Sequence, residues 1–172
     1  MKIAFNEFQV KKCTENDFDK IIELQNVVIS QLESCILRQN TEKMFHECLE
    51  APNVTIGVWH NCELVAFSVL YFPKTIEEDL AHSLKSIDAS SLKSVNYKLC
   101  IVKKEYRGNS LQHEMGKILL PYAVENNAEI ICATVSPNNP YSINNIRKLG
   151  FVYDSSQIKY EDVERNLYYK LI

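Results

Sequence analysis

The chain is poor in glycine, with 4 in 172 residues, and no segment reads G-x-x-x-x-G-K-[ST] or G-x-G-x-x-G. Both patterns cradle phosphate with closely spaced glycines, so their absence excludes a P-loop nucleotidase and a dinucleotide-binding dehydrogenase. No apolar stretch is long enough to span a bilayer, and none near the N-terminus has signal-peptide length. Cys13, Cys35, Cys48, Cys62, Cys100 and Cys132 include no C-x-x-C pair and no zinc spacing. His46, His60, His82 and His113 stand apart, so no metal site is expected. Without a secretory signal, the cysteines are expected to be free thiols in a reducing cytoplasm. A net charge of -3 offers no basic surface for nucleic acid or an anionic membrane.

What the chain does have is the composition of a soluble globular domain, 46% hydrophobic and 24% charged. Its length predicts one domain over residues 1–172. The segment from Phe5 to Lys11 alternates and predicts a first strand. Thr14 and Asp17 form a capping-box pattern ahead of Phe18, Ile21, Ile22, Gln25, Ile29 and Leu32, which recur at helical spacing. Thr41 to Glu50 predicts a second helix, stopped before Pro52.

Residues 54–72 predict a β-hairpin turning at Asn61. A long polar connection over 73–91, helical around Ile76 to Leu84, has the length of a binding lid or of a solvated insertion. Leu92 to Val102 predicts a strand. Leu111, Met115, Ile118, Leu119 and Tyr122 then mark a helix face that Pro121 should kink or end early. Ile130 to Val135 predicts another strand, and Tyr141 to Leu149 a helix closed by Gly150. Phe151–Lys159 and Asn166–Leu171 predict a closing strand pair.

The chemistry is concentrated in two segments. In the run from Cys100 to Gln112 a strand ends, a short polar turn follows and a helix begins. That arrangement aims unpaired backbone N–H groups and the positive end of a helix dipole at the turn, a site suited to pyrophosphate. Gly108 permits a backbone conformation closed to other residues, and Arg107 adds a fixed positive charge. Further on, Asn139 precedes Pro140 and Ser142 in the pattern of a capped helix start.

Together, Arg107-Gly108 after the strand ending in Val102, Asn139-x-x-Ser142, and Lys148-Leu149-Gly150-Phe151 resemble the GNAT superfamily of N-acetyltransferases. The order of predicted elements along the chain is also similar to that family's. The resemblance implies an α/β (α+β) fold with a mixed, mostly antiparallel central sheet and helices on both faces. It implies an enzyme that moves an acetyl group from acetyl-CoA, as co-substrate, to a small-molecule or peptide amine. It further implies that the backbone of Cys100, Ile101 and Val102 pairs with the pantetheine arm where two strands splay. Arg107, Gly108, Asn109, Ser110, Leu111 and Gln112 would hold the pyrophosphate, and Asn139 and Ser142 would touch the cofactor from the next helix.

The chain departs from the family pattern at three positions. Ser110 and Gln112 stand where the phosphate loop usually has small residues. Ile146 stands where many members have the tyrosine thought to protonate the departing thiolate. Tyr141, Tyr97 and Tyr122 are candidate replacements by proximity to the motifs. The strand from Val95 to Val102 carries no carboxylate, so the general base is unassigned. These departures keep open a second reading, a non-catalytic acyl-CoA-binding or regulatory module on the same fold. The oligomeric state is left between monomer and homodimer. Cys100 and Cys132, on expected buried strands, are core thiols rather than nucleophiles in this reading.

Overall fold

A computed structural model describes residues 2–32, 36–37, 39–160 and 162–172. In chain order the elements are β1 (Gln9–Lys12), α1 (Phe18–Ser30), α2 (Glu42–Leu49), β2 (Val54–His60), β3 (Glu63–Tyr71), β4 (Ser94–Val102), α3 (Leu111–Glu125), β5 (Ile130–Val135), α4 (Pro140–Lys148), β6 (Val152–Lys159) and β7 (Val163–Leu171). The seven strands form one sheet in the order β1-β2-β3-β4-β5-β7-β6. Only β4 and β5 run parallel; every other neighbouring pair is antiparallel.

Helices cover both faces. On one, Leu111, Met115 and Leu119 of α3 and Ile146 of α4 pack on Val65, Val95, Tyr97 and Ile131. On the other, Ile21, Leu24 and Val28 of α1 and Phe45 and Cys48 of α2 pack on Phe67, Val69, Tyr71, Leu99 and Ile101. Each fully buried aliphatic side chain contributes about 1.5–3 kcal/mol over its exposed state. A third cluster sets Ala81 and Ala89 against Ile130 and Cys132, so the β3–β4 connection covers β5 on the α1–α2 face. Asp154 of β6 accepts the N–H groups of Lys85 and Ser86 at 3.0 and 2.8 Å. Gln157 Nε2 donates to the Ser83 carbonyl at 2.6 Å. The connection is therefore pinned to β6. Among the described residues, no helix is long and apolar enough to cross a membrane.

Several local expectations need correction. Residues Phe5–Glu7 form a 3-10 turn, and the first strand is confined to Gln9–Lys12. The buried stripe of α1 is Ile21, Leu24, Gln25 and Val28; Ile22 and Ile29 are only half-buried, and the helix ends before Leu32. Gln25 is tolerated in this stripe because Asn40 satisfies it. Its Oε1 accepts the Asn40 N–H at 2.9 Å, and its Nε2 donates to the Asn40 carbonyl at 3.0 Å. The helical piece expected around 76–84 reduces to the 3-10 turn Leu80–Ser83. Pro121 does not end α3, which continues to Glu125. The proline is exposed, and so is Lys117, whose carbonyl it leaves unpaired; water can satisfy that carbonyl.

Candidate functional site

Parallel pairing between β4 and β5 covers only Ser94–Ile130, Val95–Ile131 and Asn96–Cys132. Beyond Asn96 the strands part: β4 continues along β3 to Val102, while β5 continues along β7 to Val135. The parting coincides with a bulge. Leu70 pairs with Tyr97 and Val69 with Leu99, so Lys98 is an extra residue in β4. A bulge bends its strand and turns two successive side chains to one face. Here Lys98 Nζ lies 3.9 Å from the Tyr71 ring centroid, on the same face as Leu99. The result is a slot whose β4 wall, from Tyr97 to Val102 and including Cys100 and Ile101, has no strand paired to it on the β5 side. Two open concavities, of about 300 and 380 Å³, lie at opposite ends of β4 and outside the slot.

At the open end of the slot the chain makes a 3-10 turn over Lys104–Tyr106 and enters α3. Gly108 has φ +86°, in the left-handed region that favours glycine, and Ser110 also lies there at φ 58°. The first helical bond of α3 is from the Glu114 N–H to the Ser110 carbonyl at 3.0 Å. Among the described residues, no protein acceptor receives the N–H groups of Gly108, Asn109, Ser110, Leu111, Gln112 or His113. Successive free N–H groups at a helix start make an anion-binding concavity.

The surrounding side chains brace this loop. Arg107 Nε donates to the Val102 carbonyl at 3.3 Å. Asn109 Oδ1 accepts the Ile3 N–H at 2.8 Å and its Nδ2 donates to the Tyr106 carbonyl at 3.0 Å, tying the N-terminal segment to the loop. Gln112 Nε2 donates to Ser142 Oγ at 2.9 Å, and Gln112 Oε1 accepts from Asn145 Nδ2 at 3.3 Å. The bulky residue at this loop position thus spends its amide on α4. Asn139 caps α4, its Oδ1 accepting the Ser142 N–H at 3.1 Å, with Pro140 at the first helical position. At the other end Gly150, at φ +87°, donates to the Arg147 carbonyl, and Phe151 N–H to the Ile146 carbonyl. That pair of bonds is a Schellman closure, which fixes where α4 stops and β6 begins.

The three tyrosines occupy different environments. The Tyr97 side chain lies in the core beneath α3 with its hydroxyl 3.4 Å from the Gln112 carbonyl. Burial drives its pKa well above the ordinary phenol value, and Cys100 adds to the rise. Tyr141 is 80% exposed on the first turn of α4. Tyr122 is half-buried near the far end of α3. Ile146 is buried against α3. Cys100 is half-buried at the slot, and Cys132 is buried where the two strands part.

Sequence reasoning missed a polar group on the α1–α2 face of the parting point. Tyr71, fully buried, is opposite Asn96 in the sheet. Its hydroxyl lies 3.1 Å from both carboxylate oxygens of Glu78 and 3.4 Å from Glu47 Oε2. Asn96 Nδ2 donates to the Glu78 carbonyl at 2.7 Å. Glu47 and Glu78 belong to α2 and the β3–β4 connection, and no local pattern announces that they meet. The nearest available signal was the length of that connection.

No protein-family model and no curated protein matches the chain. Solved structures do match, over nearly its whole length. An acetyltransferase of the GNAT family from Streptococcus pneumoniae aligns with TM-score 0.72 at 16% identity, covering 96% of this chain and 99% of that one. A putative acetyltransferase from Salmonella typhimurium, solved with its cofactor acetyl-CoA, aligns with TM-score 0.71 at 14% identity, covering 96% and 94%. A ribosomal-protein-alanine N-acetyltransferase from Brucella melitensis aligns with TM-score 0.70 at 14% identity, covering 95% and 99%. At such identities the likeness is one of fold: the chain has the fold of GNAT acetyltransferases.

Proposed function

We propose that the protein is a cytoplasmic, single-domain N-acetyltransferase that moves an acetyl group from acetyl-CoA to a primary amine of a small molecule or peptide. The observation that carries this reading is the run of unpaired N–H groups from Gly108 to His113 at the open end of a strand-lined slot. A pyrophosphate bound there would meet backbone donors, the α3 dipole and the Arg107 charge. From Val102 back to Tyr97 the slot runs about 17 Å, at about 3.3 Å per residue. An extended pantetheine arm pairing with Cys100, Ile101 and Val102 as an added strand would follow that edge toward the parting point.

Free thiols at Cys13, Cys48, Cys62, Cys100 and Cys132 suit a reducing compartment. The Salmonella structure carries acetyl-CoA in the same fold, and the Brucella protein is a ribosomal-protein-alanine N-acetyltransferase, which supports the donor and makes peptide amines reasonable acceptors. The amine attacks as the neutral base, in a ternary complex and with no covalent enzyme intermediate. Polar donors near the parting point would stabilise the charge that develops on the carbonyl oxygen.

One observation favours the second reading, a non-catalytic acyl-CoA-binding module. Ile146 holds the position of the family's proton-donating tyrosine, and it is 2% exposed in the core. Calorimetry with acetyl-CoA tests the shared premise. Wild type should bind at micromolar concentration, and Arg107→Glu and Gly108→Val should each weaken binding at least tenfold. No binding by folded wild type removes both readings. Binding without transfer to any amine leaves the module.

A further inference from the structure

We infer that the amine acceptor is received by Glu78, with Asn96 and Glu47 beside it, on the α1–α2 face of the point where β4 and β5 part. This inference rests on the transferase reading and assigns that site its acceptor half.

The geometry begins with Tyr71. One phenolic proton faces three carboxylate oxygens, two on Glu78 at 3.1 Å and one on Glu47 at 3.4 Å, and can serve one strong bond at a time. Glu78 Oε2 also accepts the Lys74 N–H at 2.9 Å. An ionised carboxylate has about four acceptor positions, so Glu78 keeps some open. It is half-buried and reachable from solvent. Asn96 supplies the independent observation. It is 4% exposed, its Nδ2 is spent on the Glu78 carbonyl, and its Oδ1 has no partner. A buried acceptor left unpaired is destabilising, and a ligand N–H would relieve it. The group therefore presents acceptors in excess of donors, which suits a cationic ammonium with three N–H bonds.

Its position suits the reaction. Asn96 forms the last β4–β5 pair, and Lys98 makes the bulge that opens the slot. A thioester carried to the closed end of the slot would arrive beside Asn96. The acceptor nitrogen enters as R–NH3+ and gives one proton to the Glu78 carboxylate. Its freed electron pair forms the C–N bond at the thioester carbonyl carbon. The C–S bond breaks with its electron pair on sulfur, and the second proton leaves nitrogen for the thiolate, directly or through water. The products are the amide, free CoA thiol and a protonated Glu78 that returns its proton to solvent.

The charged and titratable groups around Glu78 come from four elements: Glu47 and Cys48 on α2, Tyr71 on β3, Lys74 and Asp79 on the connection itself, and Lys98 on β4. Lys74 Nζ lies 4.0 Å from Glu47 Oε1. Lys98 covers the Tyr71 ring. The two lysines bring positive charge to the neighbourhood of the two carboxylates.

The test measures CoA-thiol release with butylamine, 1,4-diaminobutane and a tripeptide with a free N-terminus, alongside calorimetric acetyl-CoA binding. Glu78→Gln should bind acetyl-CoA within about threefold of wild type and lose about 100-fold in amine kcat/KM. Glu78→Asp loosens the connection at least as much as Gln does, so recovery of part of the rate by Asp alone marks the carboxylate rather than the fold. Exposed Glu125→Gln serves as the control. Transfer by Glu78→Gln at the wild-type rate overturns the inference. So does acetyl-CoA binding by wild type with no transfer to any of these amines. Failure of wild type to bind acetyl-CoA overturns the transferase reading instead.

Discussion

Gln112 Nε2 lies 2.9 Å from Ser142 Oγ, joining the first turn of α3 to the first turn of α4. The bond resolves a conflict within the chain. A long side chain beside the free N–H groups of 108–113 would obstruct an anion approaching them, and here its amide is held on Ser142 and Asn145. Two helix N-termini are thereby locked side by side, which keeps the N–H groups of 108–113 in one arrangement. Truncation in Gln112→Ala should cost about 1 kcal/mol through the lost hydrogen bonds. In a chain of this size that lowers the melting temperature by about 2–4 °C. Acetyl-CoA affinity should stay within about threefold, because no N–H donor is removed. Thermal unfolding and calorimetry on the one variant check both.

Asn139 offers a way to separate capping from ligand contact. Its Oδ1 accepts the Ser142 N–H at 3.1 Å, so Asn139→Ala should lose about 1 kcal/mol of stability in urea unfolding. Asn139→Asp keeps an acceptor oxygen and places a negative charge at the α4 N-terminus, where the helix dipole welcomes it. Stability should hold at the wild-type value or rise. If Asn139 also faces the bound cofactor, the same charge repels the phosphates, and acetyl-CoA affinity should fall at least tenfold.

What could be read in the sequence follows the range of the interactions. The Thr14–Asp17 pattern, the turn at Asn61, the Asn139-Pro140 helix start and the Gly150 stop each depend on residues within a few positions, and each lies in the structure where its pattern placed it. In α1 helical spacing placed Ile21 and Gln25 in the buried stripe but took Ile22, Ile29 and Leu32 in place of Leu24 and Val28, because a run apolar on two adjacent faces leaves the buried side to be chosen by packing on the sheet. Pro121 was misread because its tolerance depends on which face of α3 meets solvent. The strand–turn–helix at Arg107-Gly108, with its free N–H groups, was legible from the sequence. The meeting of Glu47, Tyr71, Glu78 and Asn96 was not, since it needs two strands, a helix and the β3–β4 connection to be in place first.

Asp17 should give the fold a measurable acid sensitivity. Burial alone would raise its pKa, but the Thr14 N–H, the Lys11 ammonium and the Thr14 hydroxyl outweigh burial and hold it below 3.8. Its folded value is depressed, so its stabilising contribution is present above the unfolded value near 3.8 and is lost as pH falls through the folded value. Asp17→Asn should cost about 1 kcal/mol at pH 7, mainly as a lost cap on the turn before α1. The exposed half of the Lys11 pair adds little. Urea unfolding of both proteins should show the gap constant from pH 7 to about pH 5 and closing below pH 4.

The thiols provide a footprint of the slot. Burial pushes Cys13, Cys48, Cys100 and Cys132 up to about 12. At pH 8 each is then thiolate in about one molecule in ten thousand, and the thiolate is the reactive form. Cys62 is exposed on the β2–β3 turn. Iodoacetamide at pH 8 should therefore modify Cys62 first among these five, with peptide mass mapping as the readout. Cys100 differs from the other slow thiols because it is half-buried and its backbone lines the slot. It should react next, over hours, and saturating acetyl-CoA should slow it further while leaving the Cys62 rate unchanged. Protection confined to Cys100 places the ligand along β4. Equal rates with and without acetyl-CoA, at a concentration shown by calorimetry to saturate, would put the ligand somewhere other than the slot.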